Sequence, residues 1–114
     1  MRRGDPLKQM ADMRRFAEDA IELLGDVDAT ALSADKMRLY AVCRALELVG
    51  EAAAHVAKED QAQWPEIPWS AAIGTRHRLI HGYADVDASS LVLTVRESLP
   101  ALIAALERAA LIQP

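Results

Sequence analysis

Residues 36–56, KMRLYAVCRALELVGEAAAHV, decide the fold. Met37, Tyr40, Ala41, Ala45, Leu48, Val49, Ala52 and Val56 recur at steps of three and four, the period of one helix face. Arg44 interrupts this face, and Glu47 and Glu51 follow it around the turn. Ser33 is a good N-cap with Asp35 in the first turn, so the pattern predicts a long core helix from near Ser33 to about Lys58. Gly50 inside a helix costs ~1 kcal/mol relative to alanine, so it is expected to mark a close helix contact or a nearby partner backbone. Glu47 is expected in a solvated or intersubunit salt bridge.

The segments on either side repeat the helical period. Leu7, Met10, Met13 or Arg14, Ala17, Ala20, Ile21 and Leu24 outline a first helix, opened by Asp5-Pro6 and ended by Gly25, with an acidic loop at residues 26–28. Gln61 to Pro68 holds two prolines and reads as a connector, flanked by Trp64 and Trp69, which are expected to plug one end of a bundle. A shorter helix is predicted from Trp69 to about Ile80, ending at His81-Gly82. A last helix follows Asp87 and carries Leu91, Val92, Val95, Leu99, Leu102, Ile103, Leu106 and Leu111, with Pro100 expected to bend or interrupt it. No internal repeat is evident.

Composition agrees with an all-α, up-and-down bundle of four to five helices, read as a single domain over residues 1–114. The chain is 52% hydrophobic and 26% charged, which excludes a disordered chain. Its five aromatic residues (Phe16, Tyr40, Trp64, Trp69, Tyr83), five glycines and five prolines are too few for a β-sandwich. A net charge of −4 and a pI near 5.3 argue against coating duplex DNA or an anionic membrane. No apolar run reaches the ~20 residues of a membrane span, and the lone Cys43 suits a reducing compartment as a buried small hydrophobe. The expected location is the cytoplasm.

One stretch departs from this scaffold: residues 74–85, GTRHRLIHGYAD, where Arg76, His77, Arg78, His81 and Tyr83 make an electropositive patch on an acidic protein. Three readings are open. The cations decorate a helix C-terminus, where they meet unsatisfied carbonyls and the negative end of the dipole. Alternatively, His77 and His81, four apart, hold zinc with His55 or Glu51, although no His-Glu pair or cysteine cluster assists. The third reading is phosphodiester chemistry on RNA, in which histidine moves protons and the planar arginine fork holds phosphate oxygens without a metal. Arg76 and His81 lie five residues and about 140° apart on a continuous helix. Either the helix breaks at Gly82 and swings His81 inward, or two copies of the motif meet across a dimer interface.

The pattern Arg76, four residues, His81, one residue, Tyr83 resembles the signature of the HEPN superfamily, specifically its HepT-like branch. Residues 44–53 resemble the second-helix segment of that family, Pro68-Trp69 with Ile73-Gly74 its entry into the motif helix, and residues 82–87 its exit. The resemblance covers about residues 5–111. It implies a dimeric helical bundle acting as the ribonuclease toxin of a toxin–antitoxin pair, without a cofactor. The implied partner is a small nucleotidyltransferase antitoxin that uses ATP to place AMP on the motif tyrosine. Carried over by position, Arg76 and His81 are catalytic and Tyr83 is the AMPylation site; AMP there adds bulk and negative charge where an RNA phosphate would bind. His77 stands where many relatives have asparagine, with an expected role as orienter or second proton carrier. Glu51 is expected to support the site by pairing with Arg76 or orienting His81. The alternative reading is a non-catalytic helical module that docks on a nucleotidyltransferase.

Overall fold

A computed structural model describes residues 5–81 and 87–111, with only the backbone described at Ile80 and His81. Every regular element among them is helical: α1 (Pro6–Leu24), α2 (Ala29–Ala34), α3 (Lys36–Ala54), α4 (Lys58–Gln61), α5 (Trp69–His81), α6 (Ala88–Leu93), a π-helical turn (Thr94–Ser98) and α7 (Leu99–Leu111).

The first helix forms where its pattern predicts. Asp5 caps it, its side chain accepting from the Leu7 N–H, and Pro6 occupies the first turn, where a missing N–H costs nothing. Met10, Met13, Ala17, Ala20 and Leu24 are buried, whereas Leu7 stays exposed. At the other end Gly25 takes φ 60° and its N–H bonds to the Ile21 carbonyl. Two arginines then hold the turn that follows. Arg38 Nη1 donates to the carbonyls of Leu23 (2.9 Å) and Leu24 (3.1 Å), and Arg96 Nη2 donates to that of Val27 (2.6 Å).

The second predicted helix is corrected in three respects. Asp28 caps a short α2 that contains Ser33, and Asp35, not Ser33, caps α3 by accepting from the Arg38 N–H. Two aspartates spaced seven residues apart offer two successive caps, so the chain folds as two helices there. Secondly, α3 stops at Ala54 and does not run to about Lys58, and a single turn, α4, forms immediately before the predicted connector. Thirdly, the buried stripe is Val42, Cys43, Ala45, Leu46, Glu47, Val49, Gly50, Ala52 and Ala53, while Met37 and Tyr40 are exposed. The helix is apolar around most of its circumference and packs against α1 on one side and α5 on the other, so its broad buried arc is set by its neighbours and not by its own period.

Beyond α3, Trp64 and Trp69 are both buried, and the Trp69 indole N–H donates to the Trp64 carbonyl at 3.0 Å, closing the connector. Pro68 immediately precedes α5, its carbonyl accepting from the Ala72 N–H. Asp87 caps α6 as expected. Pro100 has no N–H for the Arg96 carbonyl. The helix absorbs this one turn earlier through an i to i−5 bond from Leu99 N–H to the Thr94 carbonyl, the π turn, and continues.

The path from Ala88 to Leu111 is thus one helix of 24 residues, long and apolar enough by length and composition to cross a membrane. A count of uninterrupted apolar runs, broken at Arg96-Glu97, misses it. Here Leu91, Val95, Leu99, Leu102, Leu106 and Ala109 are buried in the bundle, where α7 packs against α1. The helix α5 is held chiefly by α3, and a cavity of about 250 Å³ separates it from Thr94, Ser98, Leu99 and Leu102.

Candidate active site

Since α3 is the main support of α5, the contact between them positions whatever α5 carries. At Gly50 that contact is backbone-close. A Cβ built there would stand 2.5 Å from the Arg76 Cβ and 2.6 Å from the Ala72 carbonyl oxygen, nearer than real Cβ atoms come. The close approach expected of Gly50 is therefore real, and its counterpart is the residue that the motif reading singles out. Only glycine lets α5 settle at this depth.

Arg76 is half-buried at this seam, and its guanidinium makes no hydrogen bond or ion pair with any described residue. Arg78 differs, although it lies two residues away. Its Nη2 donates to Thr75 Oγ1 at 3.0 Å, and Thr75 Oγ1 donates to the Ala71 carbonyl at 2.9 Å, so Arg78 is tied back along its own helix. His77 is exposed, and Glu51 is half-buried and forms no ion pair with Arg76. His81 is the last residue of α5. Its side chain, and Tyr83 altogether, lie outside the described residues. Because α5 runs unbroken from Arg76 to His81, the two Cα positions are about 140° apart around its axis. No group of three His, Cys, Asp or Glu side chains among the described residues is placed to hold a metal ion.

The C-terminal end of a helix presents carbonyls and the negative end of the dipole. An anion bound there must be held by side chains, and Arg76, whose five N–H donors meet no acceptor among the described residues, is suited to it. Cys43 offers no competing nucleophile. Burial and the nearby Glu47 charge push its thiol up to about 11, so it stays protonated at neutral pH.

Glu47 departs most from expectation. It is not solvated: at 6% exposure it is the one buried charged side chain among the described residues. Arg44 approaches it at 3.5 Å from the solvent side, and its Oε1 is buried with no hydrogen-bond partner. A buried carboxylate oxygen left unpaired costs on the order of 1–3 kcal/mol or more. Glu47 lies three residues before Gly50, its neighbour along the helix surface and about 60° around the axis from the glycine that meets α5. The sequence carries a signal for it: a charged residue one turn from a mid-helix glycine shares the glycine's packing face.

Comparison with known proteins reaches the same part of the molecule. The family model described as "Ribonuclease HepT-like" matches residues 13–109, which span α3, the Gly50–Arg76 seam and all of α5. Among similar chains is "Putative RNase MJ1380" of Methanocaldococcus jannaschii, 35% identical over 100 residues, which are 88% of this chain and 92% of that one. "Probable ribonuclease HepT" of Thermococcus cleftensis is 43% identical over 68 residues, 60% of this chain and 62% of its own. "Putative RNase MJ0125" of Methanocaldococcus jannaschii is 33% identical over 89 residues, 78% of this chain and 77% of its own. No solved structure matches the chain. An all-helical fold, an arginine-bearing helix seated on a glycine and a match over most of the length lead to one assignment: the chain belongs to the ribonuclease HepT-like family.

Proposed function

We propose that the protein is a metal-independent endoribonuclease, the toxin of a toxin–antitoxin pair, working as a homodimer in the cytoplasm. The observation that carries this reading is the Arg76 guanidinium at the glycine seam of a HepT-like chain, which bonds to no described residue. Arg76 grips the scissile phosphate through its planar fork. The ribose 2′-oxygen loses its proton to one histidine and bonds to phosphorus. The bond from phosphorus to the 5′-oxygen breaks, a second imidazole protonates that oxygen, and a 2′,3′-cyclic phosphate remains. No outside nucleophile or redox partner enters this balance.

The angular separation of Arg76 and His81 on an unbroken helix favours a cleft shared by two copies, in which each chain supplies one His81 and one Arg76. His77 assists as orienter or second proton carrier, and Glu51 supports the site from α3. The net charge of −4 confines RNA contact to this cleft. A nucleotidyltransferase antitoxin silences the site by placing AMP on Tyr83, beside the phosphate position.

The test is incubation of purified, unmodified protein with an end-labelled RNA in EDTA. Cleavage that leaves cyclic phosphate ends and disappears in His81→Ala supports the reading. Absence of cleavage, or cleavage undiminished in His81→Ala, sinks it. Intact mass after co-expression with the antitoxin tests the modification, which must be lost in Tyr83→Phe.

A further inference from the structure

Two groups of opposite charge at or near the seam of α3 and α5 have no hydrogen-bond partner among the described residues. Glu47 Oε1 is buried and accepts no hydrogen bond. The Arg76 guanidinium donates to no described residue. Arg76 Cβ lies against Gly50, and Glu47 is the i−3 neighbour of Gly50 along the surface of α3. An arginine stem is long and flexible enough to span about one helical turn, so Glu47 lies within the range that rotation of the Arg76 side chain can sample. Arg44 does not fill this role, because it approaches from solvent at 3.5 Å and leaves Oε1 bare.

We infer that Glu47 is a positioning residue for Arg76: its free oxygen accepts from one edge of the guanidinium while the opposite edge holds a phosphate. Resting on the ribonuclease reading for the identity of that phosphate, the inference explains why a buried carboxylate persists in an otherwise apolar seam. Arginine carries more donors than a phosphate takes, and a fork held on one edge presents the other in a fixed plane. Glu47 does not touch RNA, since Oε1 is closed to solvent. Its effect passes through Arg76.

The role separates from a structural one because the two make opposite claims about an apolar replacement. Glu47→Leu keeps most of the volume and removes a carboxylate that is costly to bury even when one edge of a half-exposed arginine meets it, so it should fold with a Tm close to or above that of the native chain. It should nevertheless lower kcat on an RNA oligonucleotide by about 10–100-fold, with KM changed by less than about threefold. Glu47→Gln, which keeps one acceptor oxygen, should recover part of that loss. Equal kcat in the native chain and Glu47→Leu overturns the inference, as does a loss of kcat that only follows a loss of folded protein in both variants.

A second measurement does not depend on cleavage. With inorganic phosphate as probe, the Arg76 side-chain Nε–H resonance, assigned by its absence in Arg76→Lys, should exchange slowly with solvent in the native chain and rapidly in Glu47→Leu. Identical exchange in the two overturns the pairing. If the native chain shows the protected resonance and cleaves no RNA, the pairing stands and the ribonuclease reading is what has failed.

Discussion

Gly50 on α3 and Arg76 on α5 are in backbone-close contact, and the depth at which α5 sits in the bundle is set by the missing side chain at Gly50. The same contact fixes where the Arg76 stem begins. Structure and chemistry therefore meet at a single pair of residues.

Substituting Gly50 separates the two helices. Alanine gains up to ~1 kcal/mol of helix propensity, but its Cβ meets the Arg76 Cβ and the Ala72 carbonyl, and overpacking of this kind costs about 1–3 kcal/mol. Gly50→Ala should lose stability on balance and Gly50→Val should lose more, as read by urea denaturation. Both should lose RNA cleavage beyond what the unfolded fraction accounts for, because α5 carries Arg76 outward.

Arg76→Ala should abolish RNA cleavage while leaving Tm within a few degrees of the native value: the guanidinium makes no bond to a described residue in this structure, and the inferred contact with Glu47 orients a half-exposed side chain without joining elements of the fold. Arg76→Lys keeps the charge and loses the fork, so it should retain only a small part of kcat. Steady-state kinetics beside a thermal melt checks both. Arg78→Ala, by contrast, removes only contacts along its own helix and should weaken cleavage less.

Alkaline pH should destabilise the protein through Cys43. Its thiol titrates near 9 in the unfolded chain and at about 11 when buried, so the unfolded state releases its proton first. Stability contributed by the buried neutral thiol is intact below pH 9 and declines as pH rises toward 11. Denaturation midpoints measured across that window should fall, and Cys43→Ala should flatten the decline. In native buffer the thiol should also resist iodoacetamide.

Arg38 joins three pieces of chain. It covers the last carbonyls of α1, its Nε meets Asp35 Oδ2 at 3.3 Å, and its own N–H is the one that Asp35 caps. These bonds hold the Asp35 carboxyl below its ordinary range. Arg38→Ala should cost about 1–2 kcal/mol in urea denaturation, the partly exposed charge-assisted bonds being worth less than buried ones. The backbone N–H bond to Asp35 survives in the variant, so only the part that the Arg38 side chain adds to Asp35, present above its unfolded value and fading as pH falls through its lower folded value, should narrow the gap between variant and native chain in acid.

Much of the molecule was legible in the order of its residues. Asp5-Pro6, Gly25, Asp87 and the three-four spacing of Met10, Met13, Ala17, Ala20 and Leu24 are local signals, and each acts within one or two helical turns, so sequence determines them alone. The motif from Arg76 to Tyr83 was equally legible, being a matter of identity and spacing. Tertiary structure decided the rest. Which side of α3 is buried depends on α1 and α5 packing against it from two directions, and a helix apolar around most of its circumference leaves that choice to its neighbours. The burial of Glu47 and the close approach of Arg76 to Gly50 likewise come from the packing of other elements on α3, which has no representation in a helix taken alone.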